Sequence, residues 1–201
     1  MKTKILSVFV LAILFAGTPI TSMYELGDAV NDFTLKSVNG ESITLSKYAD
    51  KGAIVIFDCN TCPYSKAYRE RIKALDVKYA SKGYPVIAIN PNDPERSPGD
   101  TFEAMKKYAK DNNYKHAYVQ DTDQSVARAF GASNTPHVFV VKKENEKFIL
   151  SYVGGIDNNS RDASAADKKY LEDAVDALLS GKQPELTKTK AIGCTIKWKE
   201  A

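Results

Sequence analysis

The segment from Ala53 to Asn90 most limits what this chain can fold into. It begins with "AIVIF" (Ala53–Phe57), an apolar and mostly β-branched run without alternation. Such a run suits a central strand covered on both faces. From about Cys62 to Ala80 the period changes. Tyr68, Ile72, Leu75 and Tyr79 recur at spacings of 4, 3 and 4, while Lys66, Arg69, Glu70 and Lys73 fall outside that stripe. This predicts an amphipathic helix, with Gly83 as its stop signal. "PVIAIN" (Pro85–Asn90) then reads as a second buried strand. Strand, helix and strand in this order make a βαβ unit, whose crossover is almost always right-handed.

The flanks extend this unit. In "FTLKSVNGESITLS" (Phe33–Ser46), Asn39-Gly40 lies between two alternating runs, which predicts a β-hairpin with a type I′ turn. "PNDPERSPGD" (Pro91–Asp100) is a loop, and Asp100 is expected to cap a helix carrying Phe102, Met105 and Ala109. "HAYVQD" predicts a short strand, and "SVARAFG" a short helix ended by Gly131. "HVFVV" and "FILSYV" predict an antiparallel pair turning near Glu144-Asn145. "DASAADKKYLEDAVDALLSG" carries Leu171, Val175 and Leu178 at helical spacing and stops at Gly181. The last twenty residues carry no clear periodicity. The order predicts one α/β domain, a central mixed sheet flanked by helices on both faces, with an N-terminal β-hairpin extension.

Composition supports one globular domain: 201 residues, 43% hydrophobic and 26% charged, with a net charge of +3. Lys2 and Lys4 supply two of those charges. They precede an apolar stretch, Ile5 to Ala16, broken only by Ser7 and followed by small and polar residues. This is the pattern of a secretory signal. We expect residues 1–22 to be that signal, or an N-terminal membrane anchor if uncleaved, and 23–201 to be the domain. The protein is therefore expected outside the cytosol, periplasmic or secreted. No basic patch points to nucleic acid.

The chemistry-bearing stretch is "DCNTCPYSKAY" (Asp58–Tyr68). Cys59 follows the first strand and Cys62 opens the helix, at the carboxyl end of a strand where open α/β sheets hold their sites. A helix N-terminus offers unpaired N–H groups and about half a positive charge, both of which favour a thiolate. Pro63 suits the first helical turn. C-x-x-C spacing also occurs in zinc sites, but a zinc site wants four ligands and no second close-spaced ligand pair exists. A purely structural bridge closing so short a loop removes little chain entropy. Much farther along, "GASNTPHVFVV" places Thr135-Pro136 immediately before a strand, where proline is tolerated.

Together these elements resemble the thioredoxin superfamily, and more closely the peroxiredoxin-like redoxins of the alkyl hydroperoxide reductase/thiol-specific antioxidant group. The resemblance runs through "DFTLKSVNGESITLSKY", "CNTCPYSKAYRERIKAL", "GYPVIAINPNDPE", "NTPHVFVV" and "GCTIKW". It implies a thioredoxin-like fold, a redox-active Cys59–Cys62 disulfide in place of any cofactor, and a groove for substrate shaped by Thr135 and a cis-bonded Pro136. Partners implied are a protein disulfide substrate or a peroxide, and an upstream thiol reductant. Two departures matter. Asp58 stands where thioredoxins usually carry Trp, and its charge disfavours the thiolate that the helix end favours. If Cys62-Pro63 is matched to the peroxiredoxin P-x-x-x-T-x-x-C motif, Cys59 occupies the threonine position and Val55 the first proline position.

Three function readings follow from the residues together with the resemblance. In the first, the Cys59 thiolate attacks a substrate disulfide and Cys62 resolves the mixed disulfide. In the second, Cys62 attacks peroxide and Cys59 resolves. The third is a copper-handling module using Cys59 and Cys62, with or without His137, since soft thiolates suit Cu(I). Cys194 is expected to be either a small residue packing beside Ile196 and Trp198 or an extra redox cysteine, as a resolving thiol or in an intermolecular bridge. His137, next to the expected cis-proline, is a candidate for tuning a thiol.

Overall fold

The computed structural model describes residues 23–200; the predicted signal segment lies outside them. The chain runs β1 (Ala29–Val30), β2 (Thr34–Ser37), β3 (Ser42–Thr44), α1 (Leu45–Tyr48), β4 (Gly52–Phe57) and α2 (Pro63–Tyr79). Then follow β5 (Val86–Asn90), α3 (Phe102–Asp111), β6 (Ala117–Gln120), α4 (Ser125–Phe130) and β7 (Asn134–Thr135). The last elements are β8 (His137–Glu144), β9 (Lys147–Gly154), α5 (Tyr170–Leu179) and β10 (Cys194–Thr195). Among the described residues no helix is long and apolar enough to cross a membrane.

Eight strands form one mixed sheet in the order β1-β9-β8-β4-β5-β6-β2-β3. The predicted βαβ unit sits at its centre: β4 and β5 are parallel, with Ile54 opposite Val86 and Phe57 opposite Ile89. All six residues of β4 are buried, as expected of an uninterrupted apolar run. Successive side chains go to opposite faces. Ile54 and Ile56 meet Tyr68, Ile72, Leu75 and Tyr79 of α2 and Leu171, Val175 and Leu178 of α5. Val55 and Phe57 meet Val126 and Phe130 of α4. Each large side chain so buried contributes about 1.5–3 kcal/mol. Both layers hold β4 rigidly, and its carboxyl end delivers Asp58 and Cys59.

Several local expectations are corrected. Asn39-Gly40 does not make a type I′ turn. Ser37 O accepts from Gly40 N and Ser37 N donates to Glu41 O, and of the turn residues only Gly40 has positive φ, at 94°. This is a type I turn closed by a glycine bulge. The two-residue type I′ loop lies instead between β8 and β9, where Asn145 (φ 48°) and Glu146 (φ 63°) are both left-handed. The last helix starts at Tyr170, not near Asp162. Asp162 Oδ1 accepts from Ser164 N and Ser164 Oγ, bonds that compete with helical ones. Asp100 does not cap α3. Thr101 does, accepting from Ala104 N at 3.2 Å, because the Asp100 carboxylate points inward to the site.

Candidate active site

Cys62 is the N-cap of α2 and Pro63 its first helical residue. The cap position puts the Cys62 side chain at the positive end of a 17-residue helix. Ahead of it, Asp58 N donates to Ile89 O at 2.9 Å, carrying the β4–β5 pairing one residue further. The chain then turns through Asn60 and Thr61.

That turn is held by Asp100, fully buried in the loop after β5. Asp100 Oδ1 accepts from Asn60 N at 2.8 Å and Asn90 Nδ2 at 3.1 Å. Oδ2 accepts from Ser97 Oγ at 2.6 Å, Thr61 Oγ1 at 2.7 Å and Asn92 Nδ2 at 2.9 Å. Burial alone would raise this carboxyl, but donors from Ser97, Asn92, Thr61 and Asn90 hold it below the usual carboxylate range. Asn60 Oδ1 in turn accepts from Tyr118 Oη at 2.8 Å. Both residues between the cysteines are thus fixed by one buried anion. Sequence reasoning missed Asp100, Asn90, Asn92 and Tyr118 as site residues. The available signal was polar Asn90, Asn92 and Asp93 directly after an apolar strand paired in parallel with the one that ends at the cysteines.

The Thr135–Pro136 bond is cis, as expected, and the turn meets both sulfurs. Cys59 Sγ shares a hydrogen bond with Thr135 Oγ1 at 3.2 Å. Cys62 Sγ lies 3.1 Å from the Thr135 carbonyl oxygen. Cys59 is 2% exposed and carries a free thiol. Burial pushes that thiol up, and the charges of Asp100 and Asp58 add to it, against the Thr135 hydrogen bond. Asp58 is also buried, and burial pushes its carboxyl up to about 6. Its Oδ1 has no hydrogen-bond partner; the Ser65 hydroxyl lowers its pKa without closing a bond.

The bridge present is Cys62–Cys194, not the Cys59–Cys62 pair expected from the spacing. The reason is the tail. β10 pairs antiparallel with β7, setting Cys194 opposite Thr135. That register brings the Cα atoms of Cys62 and Cys194 to 5.9 Å, within disulfide range. The reading of Cys194 as a mere packing residue is thereby corrected: it is half-buried and covalently bound.

His137 opens β8, opposite Phe57 in the register. Its Nδ1 accepts from Ser133 N at 3.3 Å, its ring lies against Phe139, and it lines an open pocket with Tyr24, Phe130 and Lys188. Burial, then Lys188, pushes its pKa down to about 4. Among the described residues no group of three or more His, Cys, Asp or Glu stands close enough to hold a metal ion.

The site thus gathers three cysteines, two bridged and one free, around Thr135. The sequence profile of the AhpC/TSA family matches residues 26–147. The crystal structure of a hypothetical protein from Sinorhizobium meliloti is 34% identical, with a TM-score of 0.79 over 90% of this chain and 98% of that one. An uncharacterised conserved protein from Geobacillus kaustophilus is 32% identical, with a TM-score of 0.80 over 89% of this chain and 95% of that one. Thiol-disulfide oxidoreductase ResA of Halalkalibacterium halodurans is 24% identical over 135 residues, covering 67% of this chain and 72% of that one.

Proposed function

Because this chain belongs to the AhpC/TSA family, we propose that it is a thiol-disulfide oxidoreductase working through Cys62, Cys59 and the cis-proline turn. The observation that carries this reading is a disulfide at the N-terminus of α2 with a second thiol beside it, both against Thr135. Similarity to a ResA thiol-disulfide oxidoreductase points the same way.

The roles follow from local physics. Cys59 and Cys62 are both buried, at 2% and 3% exposure, but the charges of Asp100 and Asp58 add to burial in pushing the Cys59 thiol up, so it is the poorer first attacker. Cys62 has the helix end to stabilise its thiolate. The order argued from sequence alone, Cys59 first, is therefore reversed in this reading. The Cys62 thiolate attacks a substrate disulfide, forming one S–S bond and releasing one substrate thiolate. Cys59, giving its proton to solvent, then attacks Cys62 Sγ and releases the second substrate thiolate. The substrate gains two electrons and the enzyme is left oxidised. A reducing thiol partner restores it. The protein substrates act outside the cytosol in this proposal, in keeping with the Lys2/Lys4 and Ile5–Ala16 leader pattern.

A second reading is favoured by one specific observation. Peroxide attack by Cys62 would give a sulfenic acid and water. Condensation with the Cys194 thiol would release a second water and leave the bridge that is present. Insulin-disulfide reduction and hydrogen peroxide consumption, compared for wild type, Cys59→Ser and Cys62→Ser, separate the two. We expect insulin reduction to require both cysteines. Peroxide turnover that needs Cys62 but not Cys59, with no insulin reduction, would overturn the exchange reading.

A further inference from the structure

The tail around Cys194 is a strap anchored at both ends. Upstream, Val153 N donates to Thr187 O at 2.9 Å and Thr189 N to Val153 O at 3.0 Å, along β9. Thr189 Oγ1 lies 2.6 Å from Tyr152 Oη. Downstream, Ile196 is buried in the main core. Lys197 N donates to Asn92 Oδ1 at 2.9 Å, while Lys197 O accepts from Asp93 N and Gln124 Nε2. Between these anchors, residues 190–195 cross the cis-proline turn. Two of them are exposed, Ile192 and Thr195, and Cys194 lies between them.

At the crossing the approach is close. A Cβ on Gly193 would lie 2.3 Å from the Thr135 carbonyl oxygen, and Asn134 Nδ2 donates to Gly193 O at 3.2 Å. Glycine is what lets the strap lie flat on β7 and bring the next residue, Cys194, to Cys62. Anchoring from both sides keeps that thiol at high effective concentration even when the bridge is open. The strap also occupies the free side of β7, where an extended partner chain would otherwise pair. The bonded pair therefore reaches solvent through the half-buried Cys194 and not through the buried Cys62.

We propose that Cys194 is a third redox residue, which carries the disulfide from the buried Cys59–Cys62 pair to thiol partners at the surface. This rests on the disulfide-exchange reading and deepens it. After substrate reduction has left Cys59–Cys62, the Cys194 thiolate attacks Cys62 Sγ. The Cys62–Cys194 bond forms, the Cys59–Cys62 bond breaks, and Cys59 leaves as a thiolate that takes up a proton; no net electrons move. A dithiol partner then attacks Cys194 Sγ. The electron pair of the broken bond goes to Cys62, a good leaving group at the helix end. The partner's second thiol displaces Cys194 from the mixed disulfide, so the partner ends oxidised and all three enzyme cysteines reduced.

The test starts from fully reduced protein oxidised with one equivalent of oxidised glutathione. Samples are quenched in acid, blocked with N-ethylmaleimide and mapped as peptides. Wild type should show Cys62–Cys194 with Cys59 blocked. Cys194→Ser should show Cys59–Cys62 and be reduced by dithiothreitol at least ten-fold more slowly than wild type. Gly193→Val, which keeps the thiol but lifts the strap, should shift the bridge from Cys62–Cys194 toward Cys59–Cys62. A wild-type map with only Cys59–Cys62, or equal reduction rates for wild type and Cys194→Ser, would overturn the relay while leaving disulfide exchange standing. Wild type that carries the Cys62–Cys194 bridge yet reduces no insulin would instead overturn the exchange reading on which the relay rests.

Discussion

Replacing Asp100 by Asn tests whether one buried carboxylate holds the active-site turn. The carboxylate accepts five hydrogen bonds and donates none. An amide keeps one acceptor oxygen and puts a donor where the other stood. The least damaging orientation places the new NH2 at the Oδ1 position, facing the donors of Asn60 N and Asn90 Nδ2. Two charge-assisted bonds are lost, at about 1.5–3 kcal/mol each. Asn90 Nδ2 keeps a second acceptor, Tyr118 Oη at 3.1 Å, which favours the lower end. The expected loss is about 3 kcal/mol, a large part of a typical domain's 5–15 kcal/mol. Urea unfolding of the two proteins under identical redox conditions reads it directly. Removing the Asp100 charge also removes one of the influences that push Cys59 up. The pH midpoint for iodoacetamide reaction at Cys59 in the reduced variant should therefore fall. A stability loss under about 1 kcal/mol, with an unmoved midpoint, would refute the assignment. Asp100 is depressed in the fold, so its contribution is present above its unfolded pKa and is lost as pH drops through the folded one.

Asp58 has the opposite linkage. Its carboxyl is raised from 3.8 to about 6, so the folded state binds more protons between those values and stability falls as pH rises through them. Asp58→Asn should abolish that fall and stabilise at pH 7 by on the order of 3 kcal/mol, measured by urea unfolding across pH 4–7. His116 is buried with both ring nitrogens unpartnered and depressed from 6.5 to about 4, by burial and then Lys73. Its folded state binds fewer protons than the unfolded one in that window, so stability is lost as pH falls from 6.5 to 4. His116→Phe should keep the packing on Tyr114, match or exceed wild-type stability at pH 7, and flatten that acid loss. Thr135→Val removes the hydroxyl bonded to Cys59, which favours the thiolate; the Cys59 alkylation midpoint should rise.

The central architecture was legible because it is written in local periodicity. A six-residue apolar strand buried on both faces, a 4-3-4 stripe on α2 and a second buried strand leave few options but a parallel βαβ unit. The placing of Cys59 and Cys62 between a strand end and a helix start was legible because both signals are local; Thr135-Pro136 stood out only through the resemblance, since on its own it reads as an ordinary loop before a strand. Three features were decided only by tertiary structure. Asp100 reads in sequence as a helix cap, since an acid before "TFEA" suits one; that Asn60, Asn90 and Asn92 converge on it depends on the parallel β4–β5 register. The hairpin turn type was settled by the register of β3 on β2, which is held against β6, and not by Asn39-Gly40 itself. Above all, the bridge partner of Cys62 lies 132 residues away. Spacing along the chain favours Cys59, but a disulfide forms where Cα atoms come within reach. Here that is set by a two-residue strand with no periodicity of its own, laid against the cis-proline turn by a glycine and held by anchors on either side.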